Sequence, residues 1–275
     1  MRAALYPNPR KTEALECAER VREVLVGAGI EVLDFAQAAG CDFVIAIGGD
    51  GTMLRCAKKI IGYNTKLLGV NMGKLGFMAS LESDELEKMA LLRQERYTVS
   101  ERMMLQGKLW TMAGTRGITA LNDISISTNY SKSGDFEVYK AHDVASDAGD
   151  FLIGRYRADG VLFSTPTGST AYALSAGGPV IEPDLECIEM TLICPHTFFS
   201  RPMIFAPDRV LSVRNVSEND EKSQVCISVD GEEPIPFRRG DRLDVRMSEF
   251  KIKMVDIDGN SFHESLASKL MRSIK

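Results

Sequence analysis

Hydrophobic positions in this chain follow two rhythms, and the change between them falls near residue 100. In the first part, short continuous apolar runs alternate with helical spacing. Residues 3–6 form such a run, closed by Pro7-Asn8-Pro9, and read as a strand entering a turn. Leu15, Ala18, Val21, Val24 and Leu25 then recur every three or four positions. That spacing predicts a helix, with Thr12 as its cap and Gly27 and Gly29 as its stop. Residues 30–33 and 43–47 are two further strands, 53–61 a second helix and 66–70 a fourth strand. Residues 83–92 read as a helix capped by Ser83, with Glu85 and Glu87 in its first turn. This β-α-β alternation predicts a parallel sheet covered by helices, a Rossmann-like α/β domain.

After Tyr97 the strands come without helices between them. Short strand-like pieces cover 98–102, 105–111, 117–121, 124–128, 136–140 and 161–163, then 210–213, 225–229, 242–245 and 251–255. Gly, Asn and Ser separate them, which predicts a second, all-β domain of the sandwich kind. Residues 141–149 are polar and read as a turn or loop. Asp230-Gly231 reads as a hairpin turn. Phe262, Leu266 and Leu270 predict an amphipathic helix over 261–270. The domains expected are therefore 1–100 and 101–255, followed by the tail 256–275.

Composition narrows the class. Of 275 residues, 44% are hydrophobic and 26% charged, the balance of a globular chain with a core. The formal net charge of −5 argues against nucleic acid as a partner, so an anionic ligand would need a local basic pocket. Six cysteines (Cys17, Cys41, Cys56, Cys187, Cys194, Cys226) form no CxxC pair and read as reduced, small hydrophobes. With three scattered histidines there is no zinc spacing. No apolar core of signal-peptide length opens the chain and no run reaches a membrane span, so a cytoplasmic location and no membrane partner are expected.

The stretch richest in chemistry is Val44-Ile45-Ala46-Ile47-Gly48-Gly49-Asp50-Gly51-Thr52. A strand buried on both faces runs into a glycine turn that opens a helix, where open α/β sheets place ligands. Asp50 could take a proton from a hydroxyl or organise a metal near phosphate oxygens, or merely cap the helix. Gly73 and Gly76 mark another loop after the fourth strand, in which Phe77 either flanks a nucleotide or covers the sheet edge. Asn122-Asp123 offers donors and acceptors suited to sugar hydroxyls and a base edge, or is an ordinary turn. Residues 164–170 are a hydroxyl-rich turn, with Ser169 or Thr170 starting a helix at Ala171. Free N–H groups and hydroxyls are expected at its mouth. Tyr172 offers a flat ring to a base, Asp159 an acceptor, and Arg157 a phosphate contact. His196 reads as structural rather than as a proton shuttle, since no partner acid is indicated.

These motifs resemble the NAD kinases. Gly48-Gly49-Asp50-Gly51-Thr52 is similar to their GGDGT signature, which diacylglycerol and sphingosine kinases and phosphofructokinases share more loosely. Residues 71–77 resemble the family's N-x-G-x-L-G-F segment, and Asn122-Asp123 its Asn-Glu/Asp pair. The closest likeness is D-G-(x)3-S-T-P-T-G-S-T-A-Y-x-L-S-A-G-G-P at 159–179, which does not resemble the lipid kinases. Residues 194–202 resemble the family's C-P-H-(x)4-R-P run. Together, in order, these motifs cover most of the chain.

The resemblance implies transfer of a phosphoryl group from ATP or polyphosphate to the 2′-hydroxyl of the adenosine ribose of NAD, giving NADP. It implies Asp50 as general base, helped by a divalent cation such as Mg²⁺. On that pattern Asp50, Gly51, Arg55, Phe77, Asn122, Asp123, Arg157 and Asp159 line the NAD site. Thr170, Ala171, Tyr172, Ala173, Leu174, Ser175 and Cys194 complete it, with Tyr172 against the adenine. A C-terminal helix returning to the first domain and a homodimer or homotetramer are further implications. The chain departs from the pattern at Ser133, where the family often has a basic residue (Lys132 is adjacent), and at Glu232, where it commonly has Gln. Two rivals remain: a lipid or other small-molecule kinase, separable by NAD against diacylglycerol as acceptor, and a non-catalytic dinucleotide sensor, separable by NADP formation.

Overall fold

A computed structural model describes residues 1–73, 76–129, 132–141, 149–197, 200–218, 224–257 and 266–268. The chain divides into two compact units, Met1–Arg102 with Phe250–Lys275, and Met103–Glu249.

The first unit is a parallel sheet with helices. Its strands are β1 (Arg2–Pro7), β2 (Glu31–Leu33), β3 (Phe43–Gly48) and β4 (Lys66–Asn71), and a short β5 (Leu81–Glu82) pairs with the end of β4. Every residue of β3 is buried, as expected for a strand covered on both faces. Helix α1 (Thr12–Gly27) turns Ala14, Cys17, Ala18, Val21 and Leu25 inward, onto a core containing Phe43, Ile45, Ile47, Leu68 and Val70. Helix α2 (Asp50–Lys59) follows β3. The order β2-β1-β3-β4 reverses between β1 and β3. Their carboxyl ends therefore flank a topological switch point, the usual ligand position in open α/β sheets.

The second unit is a pair of antiparallel sheets. The strands are β6 (Thr98–Thr111), β7 (Gly114–Ala120), β8 (Asp123–Thr128), β9 (Gly134–Lys140), β10 (Phe151–Ala158) and β11 (Gly160–Ser164). They continue as β12 (Ile188–Ile193), β13 (Met203–Phe205), β14 (Leu211–Asn215), β15 (Val225–Val229), β16 (Ile235–Pro236) and β17 (Arg242–Asp256). One sheet orders β13-β12-β11-β8-β15-β16, and the other runs β10-β9-β14-β17 with β6 joined to β17 and β7 to β6. A single apolar core unites them. Leu105, Phe136, Val138, Val213 and Leu243 come from one sheet, and Ile124, Ile126, Phe163, Met190 and Ile227 from the other. Strict alternation on β9 and β15 is what a half-buried strand in a sandwich requires. A short helix, α3 (Tyr172–Ser175), follows β11 through a 3-10 turn, Thr167–Thr170.

Several elements differ from the sequence reading. Residues 98–111 are one strand, and so are 242–256. Each passes from one unit to the other, so its alternation breaks where its surroundings change. Thr12 is the first helical residue and does not cap; Lys11 precedes it without a side-chain cap bond. The expected helix at 83–92 is a 3-10 helix, Leu86–Gln94, without a Ser83 cap. Its buried residues Leu86, Met89 and Leu92 recur every three positions, the period of a 3-10 helix. Strand β10 was not foreseen, because it lies at a sheet edge and is largely exposed, with Arg155 and Arg157 interrupting any apolar rhythm. Of the helix expected at 261–270, residues 266–268 are helical and the rest lies outside the described residues, as does most of the 141–149 loop.

Phe163 has no exposed surface within the core between the sheets. Phe163→Ala should cost about 3–5 kcal/mol of stability through lost burial and the cavity left behind, measured by denaturant unfolding.

Candidate functional site

Each unit gathers candidate residues of its own. In the first, Asp50 opens α2 at the carboxyl end of β3, with Gly49 before it in extended backbone. It does not cap the helix. Its carboxylate reaches instead to the loop after β4, where Oδ2 accepts from the Phe77 N–H at 3.0 Å and Oδ1 from the Met78 N–H at 3.4 Å. An ionised carboxylate has about four lone-pair positions, so capacity remains for a ligand hydroxyl or a cation. Gly76 permits this approach: a Cβ there would lie 2.1 Å from Asp50 Oδ1. Gly48 has a similar duty, because its Cβ would lie 2.3 Å from Thr52 Oγ1.

Arg55 stands one turn further along α2. It donates to Thr52 Oγ1 at 3.2 Å and meets the hydroxyl of Tyr6, at the carboxyl end of β1. Burial, then the Cys56 thiol, pushes the Tyr6 hydroxyl above its ordinary value, while Arg55 opposes that shift. A guanidinium is therefore fixed beside the switch point. Asn71, at the end of β4, donates to both carboxylate oxygens of Glu82 at 3.0–3.1 Å. Phe77 is half-buried and contributes its backbone N–H to Asp50. A Cβ at Gly51 would lie 3.6 Å from Arg55 Nη1, an ordinary van der Waals contact.

In the second unit, Leu121 and Asn122 form the turn between β7 and β8, and Asp123 opens β8. The Asp230 carboxylate accepts from all three of their N–H groups: Leu121 at 3.0 Å on Oδ2, and Asn122 at 2.8 Å and Asp123 at 3.1 Å on Oδ1. On the other side, Thr165 Oγ1 donates to the Leu121 carbonyl at 2.6 Å and the Thr165 N–H to the Asn122 carbonyl at 2.9 Å. The turn is thus gripped through both its amides and its carbonyls. The Asn122 side chain is left with a buried Oδ1 that has no hydrogen-bond partner, a cost of about 1–3 kcal/mol. A donor brought by a ligand could relieve it.

Tyr172 begins α3 and is 44% exposed. Burial of part of the ring raises its hydroxyl pKa, and Cys194, Asp123 and Asp159 add to the rise. Four of the residues read from the sequence therefore share one electrostatic neighbourhood. Cys194 is exposed and has φ +45°, a left-handed backbone unusual outside glycine and asparagine. Asp159 joins β10 to β11; its N–H donates to Ile193 and its carbonyl accepts from Thr128.

Other expectations are corrected. The hydroxyls of the 164–170 turn do not stand at a helix mouth. Ser164 bonds to the Thr165 carbonyl, Ser169 to Pro166 and to the Ile181 N–H, and Thr170 to the Thr167 carbonyl. Short polar side chains satisfy local backbone in this way wherever a tight turn leaves it unpaired. The helix begins at Tyr172 with Ala171 before it and no side-chain cap. Ala173 is buried and its carbonyl accepts from Gly178, while Leu174 accepts from Gly177. Ser175 is exposed. Arg157 lies on β10, 3.6 Å from Asp135 across the strand pair. Ser133 hydrogen-bonds His196 Nε2 at 2.9 Å, and the His196 N–H donates to the Arg157 carbonyl, so that histidine is tied into the fold. Glu232 donates its N–H to Val229 within the hairpin turn.

The sequence reading missed the amide grip of Asp230. It treated Asp230-Gly231 as a turn alone, and the turn is there, with φ +50° and +71°. The available signal was that only a short acceptor tolerated in left-handed backbone suits that position.

Comparison with known proteins follows this geometry. A family model described as the ATP-NAD kinase N-terminal domain matches residues 32–93, and one described as the ATP-NAD kinase C-terminal domain matches 134–257. An NAD kinase of Symbiobacterium thermophilum is 34% identical over 97% of this chain and 98% of its own length. One of Natranaerobius thermophilus is 32% identical over 97% and 96%. Among solved structures, a yeast NADH kinase complexed with NADH superposes with a TM-score of 0.84 at 23% identity, covering 98% of this chain and 87% of that one. An NAD kinase from Archaeoglobus fulgidus in complex with ATP gives 0.74 at 25% identity, covering 97% and 99%.

Asp230→Ala removes the shared acceptor of three amides and should cost about 2–3 kcal/mol. Asp230→Asn tolerates the same backbone but turns an NH₂ toward an amide, and should recover only part of the loss. Denaturant midpoints of the two variants check both.

Proposed function

The chain belongs to the NAD kinase family, and on that premise we propose how its residues carry out phosphorylation of NAD. A phosphoryl group passes from ATP to the 2′-hydroxyl of the adenosine ribose, giving NADP. A sugar hydroxyl is a poor nucleophile at neutral pH, so a carboxylate in hydrogen-bond reach must accept its proton as the new P–O bond forms. Asp50 takes that part. The observation that carries the assignment is its posture: two loop amides hold the carboxylate in place at the end of β3 while using only part of its accepting capacity.

The second unit holds NAD in this reading. Asn122 and Asp123 accept and donate to the ribose, Tyr172 lies along the adenine, and Asp159 accepts from its amino group. Support comes from their common neighbourhood and from the rigid grip on the Asn122 turn. Arg55, already fixed by Thr52 and Tyr6, lends positive charge to phosphate. We extend the domain reading on the same footing, with 1–100 as the part bearing the acid, 101–255 as the dinucleotide-binding part, and a tail over 256–275 belonging with the first.

A divalent cation fits in one manner only. Among the described residues no three His, Cys, Asp or Glu side chains gather to cage an ion. A magnesium ion is commonly held by one or two carboxylates and the phosphates of a bound nucleotide, and Asp50 suits such a site. When bound, the cation supplies charge neutralisation at the transferring group. Among the described residues no helix is long and apolar enough to cross a membrane. Its six cysteines are free, which accords with the reducing cytoplasm we propose as its location.

Incubation with ATP, NAD and Mg²⁺ should yield NADP, read by an NADP-specific dehydrogenase; no NADP under those conditions overturns the reading. Asp50→Asn should lower kcat by about 10²-fold or more while NAD still binds. Because the new amide opposes the Phe77 or Met78 N–H, it should also cost about 1 kcal/mol of stability. Near-normal turnover would remove Asp50 from the role.

A further inference from the structure

Beneath α3 lies a carboxyl group that the phosphoryl transfer does not use. Glu189, the second residue of β12, has no exposed surface. Its Oε1 accepts from the Thr191 hydroxyl at 2.8 Å, and its Oε2 is buried without a partner. Gly178, three residues past the end of α3, presses against it: a Cβ there would lie 1.9 Å from Glu189 Oε1 and 2.9 Å from the Ala173 carbonyl. Gly178 in turn donates its N–H to that carbonyl at 2.8 Å. The acid, Gly178 and the end of the helix that begins with Tyr172 therefore form one packed unit.

Beyond the Thr191 hydroxyl, the surroundings offer a negative charge nothing. Ser164 on β11 and Ile204 on β13 stand opposite Glu189 across the sheet. Its own strand brings Thr191, and Cys187 lies just before the strand begins. The helix end brings only Gly178 and a carbonyl. Among these groups Cys187 alone titrates, and burial first, then Glu189, pushes its thiol upward. No Lys, Arg or His of the described residues acts on the carboxyl. An unpaired carboxylate in such a place is far costlier than the neutral acid. Burial correspondingly raises the Glu189 pKa above the usual carboxylate value, with the Thr191 hydroxyl opposing.

We propose that Glu189 is a positioning residue for Tyr172, a buried neutral acid that props the turn ending α3, and that its ionisation loosens this turn and weakens NAD binding. The ligand named here rests on the NAD kinase reading; the packing does not. The direction of the pH effect follows from linkage. The folded state holds this proton more tightly than the unfolded chain, so the stability it confers is full below the ordinary carboxylate range and is lost as pH rises through the folded-state value.

Glu189→Gln copies the neutral acid in shape and has no proton to lose. NAD affinity by calorimetry, KM, kcat and thermal midpoint are compared for wild type and E189Q from the ordinary carboxylate range upward, as far as both proteins stay folded. Relative to E189Q, the wild-type KM and Kd for NAD should rise about threefold to tenfold across that range, tenfold being one pKa unit of coupling. The kcat ratio should stay constant, and the midpoint gap should widen with pH. Gly178→Ala, which drives a methyl into the acid, should raise KM at every pH. Parallel pH curves for wild type and E189Q, or a change confined to kcat, overturn the proposal. Absence of NADP from wild type would instead sink the kinase reading, and the midpoint gap and NAD calorimetry would still decide the role of Glu189.

Discussion

A carboxylate that collects the amide protons of a neighbouring loop is the interaction on which the candidate residues of each unit depend. Strand ends in these folds leave backbone N–H groups without ladder partners, and buried N–H groups must be satisfied. Asp50 answers for the loop after β4, and Asp230 for the turn between β7 and β8. Charge-assisted bonds of this kind are stronger than neutral ones. Each therefore fixes a loop that apolar packing alone would leave adjustable, and each places a candidate ligand-binding residue, Phe77 or Asn122, on the loop it fixes.

Close approach is the second half of that design. Gly76 stands where a Cβ would strike the Asp50 carboxylate, and Gly168 where one would lie 2.2 Å from the Asn122 carbonyl. These glycines are required by proximity and not by backbone angle, since neither has positive φ. The loops can meet their acceptors only because nothing projects between them. The same logic applies at Gly178 over Glu189, where the neighbour is an acid and not an amide.

Much of this was legible in the sequence where one residue type carries one job. A fully apolar run such as 43–47 reads as a strand covered on both faces, and three glycines around Asp50 read as a turn at its end. The succession of short strands after Tyr97, with Gly, Asn and Ser between them, likewise announced a β-rich unit. What was not legible depended on partners distant in sequence. The hydroxyls of Ser164, Thr165, Ser169 and Thr170 looked available because the sequence does not show that the Leu121 carbonyl and the Ile181 amide lie beside them. Asp230 looked like a turn residue because its three amide partners are more than a hundred positions away. Long strands that cross between the two units were cut in two, since each part obeys the burial pattern of its own unit.

The two loop-holding carboxylates can be told apart by counting what they have left. A carboxylate accepts at about four positions. Asp230 meets three amides, and its residue sits in a hairpin whose left-handed backbone already fixes its direction. Little capacity remains there, so Asp230 is suited to holding a turn and poorly suited to accepting from a ligand hydroxyl. Asp50 meets two amides, one of them at 3.4 Å. It is half-buried and not enclosed, on the first turn of a helix beside the switch point of its sheet. An acid that is anchored yet unsaturated can receive a hydroxyl without moving, and a base that need not reorganise contributes most to lowering the barrier. Spare accepting capacity, and not the mere presence of a carboxylate in a glycine turn, is therefore what separates the acid suited to chemistry from the acid suited to structure.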